Sequence, residues 1–162
     1  MKKAIQLFFL YAGLLTIAGY AHAAEFPQGP QLSVTPGKLC DHPAKFRYPE
    51  NIAYCERDVQ FETKEIIIGE YDQKFSYSIA KLPRADFKID HLIPLCAGGS
   101  NDVTNLWPQH KSIYMITDPL EPIVCNKMAL GRLKQIDAVR LVIEAKTNLE
   151  RTKKIIEYIN RL

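Results

Sequence analysis

Asp90 and His91 stand side by side after the run Asp86-Phe87-Lys88-Ile89, and Asn105 follows His91 by fourteen residues. A histidine titrates near neutrality, so its neutral form can take a proton from water; a neighbouring carboxylate is a hard oxygen ligand, and an amide can hold the pair in place. Those three residue types suit metal-assisted hydrolysis of a phosphodiester bond. Adjacent residues in a regular strand point to opposite faces, whereas at a strand end or a bulge they can converge on one site. An Asp-His dipeptide alone also fits ordinary hydrogen bonding at a strand edge, so its surroundings carry the argument.

The elements that must position these residues are legible on both sides. Asp86 to Ile89 reads as a strand, and Leu92-Ile93-Pro94-Leu95 is an apolar run that would bury one side of it. Gly98-Gly99-Ser100-Asn101-Asp102 is a cluster of turn formers able to supply positive φ and side-chain to backbone hydrogen bonds. Val103 to Trp107 is expected to return as a second short strand carrying Asn105, with Pro108 as the first residue of a helix. The implied order is strand, turn, strand, helix.

Ile-Asp-His-Leu-Ile-Pro-Leu from Ile89, Gly-Gly-Ser-Asn-Asp from Gly98 and Asn-Leu-Trp-Pro from Asn105 together closely resemble the HNH branch of the His-Me finger, or ββα-metal, nucleases. The resemblance covers about twenty residues and continues more weakly through His110 and Lys111 to Cys125. It implies a finger over roughly 86–119, with His91 as general base, Asp90 as metal ligand and Asn105 as the residue that ties the hairpin together. The third signature position departs from the family. Its helix usually offers a His or Asn nine or thirteen residues after the hairpin Asn, where this chain has Tyr114 and Asp118. Tyrosine is a poor ligand here; Asp118 is chemically suited, and His110 is a further candidate. His110, Tyr114 and Asp118 are spaced to share a helix face, and Pro119 should end that helix.

What the resemblance implies is an α+β fold: a small ββα-metal core with a disulfide-linked N-terminal segment and C-terminal helices. The implied activity is an exported nuclease that hydrolyses DNA or RNA through a divalent cation on Asp90 and leaves 5′-phosphates. Oxygen ligands favour Mg²⁺ or Mn²⁺ over Zn²⁺, although a ligand such as His110 would weaken that preference. No zinc finger or helix-turn-helix signature is present, so contacts should fall on the phosphate backbone, Lys111 among them, with little sequence selectivity. An inhibitor partner is compatible with such an activity. Two alternatives stand beside the enzyme: a nucleic-acid-binding protein that keeps the fold without catalysis, and a structural envelope or effector protein.

Residues 1–23 begin with Lys2-Lys3, continue through an apolar core from Ala4 to Ala18 and end in Ala21-His22-Ala23. They read as a secretory signal peptide, which places the chain outside the cytoplasm, in a periplasm or beyond the cell, with no lasting membrane insertion. Cleavage after Ala23 would leave a single domain over 39–162 behind an extended arm, 24–38, whose Pro, Gly and Gln content predicts little fixed structure. That mature chain carries 19 Lys and Arg against 18 Asp and Glu. Nine of the basic residues lie between Lys127 and Arg161, so Lys153 and Lys154 are candidates for a phosphate-facing surface.

Four cysteines in an exported chain predict two disulfides with three open pairings. The expected one joins Cys40 to Cys55 and leaves Cys96 to reach Cys125; the absence of a Cys-x-x-Cys argues against a zinc knuckle. Cys40 to Val59 reads as loop-rich and Ile66-Ile67-Ile68 as a short buried strand ended by Gly69, while Tyr77 to Leu82 is a short helix or an irregular cover. From Leu120 onward apolar residues recur at threes and fours. They predict one helix near Glu121 to Ala129 and another from about Asp137, placed as a cap, to Asn160, with a break around Thr147-Asn148.

Overall fold

The computed structural model describes residues 24–162; the signal-peptide reading falls outside them. Among the described residues no helix is long and apolar enough to cross a membrane. The fold is α+β. Strands β1 (Lys45–Arg47) and β2 (Ile52–Tyr54) form one antiparallel pair, and β3 (Phe87–His91) and β4 (Leu106–His110) form another. The helices are α1 (Phe61–Phe75), α2 (Lys111–Thr117), α3 (Leu120–Ala129), α4 (Gln135–Thr147) and α5 (Leu149–Asn160).

The β3–β4 hairpin followed directly by α2 gives the expected order with shifted boundaries. Val103–Asn105 is a tight 3₁₀ turn, capped by the Asp102 side chain accepting from Thr104 N, and the return strand begins only at Leu106. Pro108 lies inside β4 rather than opening the helix. Leu92 N–H donates to Asn105 O at 2.7 Å, and from that pair the antiparallel alternation puts Pro108, opposite Ile89, at a non-hydrogen-bonded position. Its missing N–H therefore costs no ladder bond. His110 takes the cap of α2 instead, its Nδ1 accepting from Ser112 N.

The Ile66-Ile67-Ile68 run corrects the strand expectation: it lies inside α1. Ile67, Ile68 and Tyr71 bury one face of that helix, while Ile66 is 62% exposed. β-branched residues favour strands only weakly, and packing of a helical face against the hairpin decides the outcome. Tyr77 to Leu82 contains a single 3₁₀ turn at Ile79–Lys81. In the C-terminal part the chain breaks at Asn148, between α4 and α5, where expected. Lys134, not Asp137, is the N-cap of α4; Asp137 sits in its first turn.

Two apolar clusters flank the hairpin. One gathers α3, α4 and α5 with Ile52, Ile93 and Ala97; the other gathers α1 with Phe87, Ile89, Leu106, Trp107 and Ile113. Both expected disulfides are present: Cys40–Cys55 and Cys96–Cys125, each with Cα atoms 5.7 Å apart. The second ties the loop after β3 to α3. The arm over 24–38 is irregular but held, which corrects the expectation of little fixed structure. Tyr71 Oη accepts from Gln31 N at 3.0 Å, Thr35 is fully buried and donates to Leu106 O at 3.1 Å, and Gly37 N–H donates to Thr104 O at 3.0 Å. The arm thus satisfies groups that the hairpin's open edge would otherwise leave unpaired.

Candidate functional site

Asp90 and His91 both lie in regular β3, opposite Trp107 and Leu106, and so point to different faces of the hairpin. Each side chain has its own set of partners.

His91 shares a face with Phe87 and Ile89 and is 4% exposed. Asn101 Nδ2 donates to Glu56 O at 2.7 Å, which turns its Oδ1 toward His91 Nε2 at 3.0 Å. Nε2 therefore carries the proton and Nδ1 is the unprotonated, accepting nitrogen. Over Nδ1, at 3.4 Å, lies Nη1 of exposed Arg57, whose Nη2 donates to Ile89 O at 3.0 Å. Burial, with help from the Arg57 charge, pushes the imidazole pKa below its ordinary value, against the opposing pull of Asn101. The result is a neutral imidazole with a defined tautomer beside a cation.

Asn105 is fully buried. Its Oδ1 accepts from Ile93 N at 2.9 Å, and its Nδ2 donates to Ile93 O at 3.0 Å and to Ser100 O at 2.9 Å. The loop closes around this amide because two glycines permit it. Gly98 adopts φ 86°, and a Cβ on Gly99 would lie 1.8 Å from Ile93 O.

Asp90 is held by ammonium groups. Lys146 Nζ, from α4, donates to Asp90 Oδ2 at 2.6 Å and to His91 O at 2.6 Å, and is itself 3% exposed. Lys88 Nζ lies 3.3 Å from Asp90 Oδ1 and donates to Asp118 Oδ1 at 2.6 Å, with the Tyr114 ring 5.0 Å away. Burial alone would raise the Asp90 pKa, but Lys146 and Lys88 together outweigh it and hold the carboxyl below the usual range. Glu121, half-buried at the start of α3, feels the same charges; burial pushes its carboxyl up.

The structure therefore brings Asp118 to Asp90, bridged by Lys88, but not His110. That residue pairs with Phe87 three positions further along the hairpin and on the other face, stacked on the Phe26 ring at 4.0 Å. Its Nδ1 is committed to the α2 cap. Lys111 is already paired with Asp86 at 2.8 Å. Lys153 and Lys154 are exposed on α5 and, among the described residues, have no carboxylate at ion-pair distance. Arg57, Asn101, Lys88, Glu121 and Lys146 were not singled out from the sequence. Lys146 carried a signal nonetheless, as a lysine on the apolar face formed by Ala138, Leu141, Val142 and Ala145.

The carboxylates present do not make a shell for a hard divalent cation. Such an ion needs about six oxygen ligands near 2.1 Å. Here both Asp90 oxygens face ammonium groups, Asp118 is bound by Lys88, and among the described residues no three His, Cys, Asp or Glu side chains gather to hold a metal.

No protein-family model matches the chain, and no curated protein or solved structure matches it.

Proposed function

We propose that this chain is an exported phosphodiester hydrolase acting on DNA or RNA, built on the ββα core of HNH nucleases, with His91 as its general base. The observation that carries the reading is the pairing of a neutral, tautomer-fixed His91 with Arg57, which donates to its unprotonated Nδ1. A phosphate drawn to the exposed guanidinium arrives beside the nitrogen that can take a proton from water. The water oxygen then bonds to phosphorus, and the P–O bond to the leaving sugar oxygen breaks with its electron pair. That oxygen takes a proton from bulk water, and His91 returns its own proton to solvent. Arg57 faces the negative charge that builds on the phosphoryl oxygens. The two disulfides fit an oxidising compartment, where a nuclease of low selectivity is kept from the producer's own nucleic acid.

The paired state of Asp90 favours a second reading, a nucleic-acid-binding protein without catalysis on the same fold. Oxidised protein comprising residues 24–162, incubated with supercoiled plasmid and with structured RNA, separates the two. Cleavage that disappears in His91→Ala supports the hydrolase. Retained binding without cleavage under any divalent-ion condition supports the second reading.

A further inference from the structure

A divalent cation beside Asp90 is what the HNH resemblance leads one to expect, and the fold supplies a different cation there. Lys146 is carried by α4, a helix outside the hairpin, and reaches 56 residues back along the chain to place its ammonium 2.6 Å from Asp90 Oδ2. The same ammonium donates to the backbone oxygen of His91 at 2.6 Å, so one charge neutralises the carboxylate and pins the residue that carries the base. Its burial is matched by α4 packing, with Val142 and Ala145 beside it in the core. A lysine buried to this degree is rare unless paired, and this one is paired twice. Lys88 holds the other Asp90 oxygen and links it to Asp118, the one residue at a signature helix position with ligand chemistry.

From this geometry we infer that the Lys146 ammonium is the resident cation of the site, standing where the family resemblance assigns a metal, and that the protein works without a divalent ion on Asp90. The inference rests on reading the hairpin as an HNH-type core. Lys146 is a positioning residue: it is sealed from solvent, touches no substrate, and acts through Asp90 and the His91 backbone. Charge stabilisation at the phosphate then falls to Arg57.

The test is a Mn²⁺ titration, followed by calorimetry and by the electron-spin resonance of free Mn²⁺, on chelator-stripped oxidised protein, alongside cleavage assays in excess EDTA. Wild-type protein is expected to show no Mn²⁺ binding that Asp90→Asn removes, and to cut equally well in EDTA. Lys146→Met frees Asp90 and should gain Mn²⁺ affinity by about tenfold or more, the gain being lost again in Lys146→Met/Asp90→Asn. A role confined to packing would not create a metal site. Stoichiometric Mn²⁺ binding by the wild type that Asp90→Asn abolishes overturns the inference, as does cleavage that EDTA stops and Mn²⁺ restores. If Lys146→Met does not fold by circular dichroism, the wild-type and Asp90→Asn titrations decide alone. Absence of cleavage in every condition counts against the hydrolase reading, and the titration still decides which cation belongs to Asp90.

Discussion

Asn105 and Ile93 exchange a reciprocal pair of hydrogen bonds, the side-chain amide reading both the N–H and the C=O of one backbone residue at 2.9 and 3.0 Å. A third bond to Ser100 O closes the loop between the strands. Asn105→Ala would leave these buried backbone groups without partners and should destabilise the fold by about 3 kcal/mol, since each unsatisfied group costs roughly 1–3 kcal/mol. Asn105→Asp keeps the shape but replaces two donated bonds with repulsion, so it should be no better tolerated. Urea unfolding of the two variants checks this; a midpoint within error of wild type would remove the amide from its proposed role.

The depressed pKa of His91 sets a pH expectation. A general base works when neutral, so the acid limb of the rate profile should lie below 6.5, the ordinary histidine value. Arg57→Gln removes a neighbouring cation that helps depress it and should move that limb upward while weakening substrate binding. His91→Ala should lower the rate by about a hundred- to ten-thousandfold without unfolding the protein. Rate profiles of the three proteins, with folding checked by circular dichroism, make the comparison.

These residues differ in how far the sequence revealed them. Asp90, His91 and Asn105 lie within one local hairpin whose turn formers and apolar run prescribe its shape, so its strand, turn, strand, helix order is legible. Arg57, in the loop before α1, meets His91 across 34 residues and Lys146, on α4, meets Asp90 across 56, tertiary pairings that no local pattern encodes. The Ile66–Ile68 run misleads for a related reason: residue preference suggests a strand, while an apolar face available for tertiary contact makes a helix. Pro108 misleads through its commoner place at a helix start. The register that makes it harmless in β4 depends on which residue of the partner strand it faces.

Breaking the Asp90–Lys146 pair from one side should be costly. Lys146→Met or Asp90→Asn alone leaves a buried charge without its partner and should cost about 3–5 kcal/mol, whereas the double variant should recover a large part of that loss. The pair also predicts acid sensitivity. A carboxyl held below its ordinary 3.8 contributes stability that is present above that pH and lost as pH falls through the lower folded value. Wild-type stability should therefore drop more steeply below pH 3.8 than that of the double variant, as denaturant titrations across that range would show.

Each disulfide closes a loop of moderate length, 15 and 29 residues in separation. Removing either by a Cys-to-Ser pair should destabilise by about 3–4 kcal/mol in the chain-entropy model. Thermal unfolding of the two double variants against the oxidised wild type tests this, and a loss under 1 kcal/mol for either would show that its loop is already ordered without the bond.

Lys153 and Lys154 offer an exposed pair of charges on α5. If they meet the phosphate backbone, changing both to Glu should weaken nucleic-acid binding and flatten its dependence on salt, with little effect on stability. Fluorescence anisotropy over a range of NaCl concentrations reads both quantities. An unchanged slope would confine those lysines to solvation.

Arg57 follows Cys55 by two residues, and Cys55 is bonded to Cys40, which packs at the edge of the β3–β4 loop through Cys40 N–H to Gly98 O at 2.8 Å. The guanidinium over His91 is therefore tethered to the rest of the fold by a bond that forms only in oxidising surroundings. Before that bond forms, the segment carrying Arg57 would be held only by the Arg57–Ile89 and Asn101–Glu56 hydrogen bonds. On the proposed hydrolase reading, the linkage that stiffens the fold would also give the guanidinium its full hold over the base only where disulfides form.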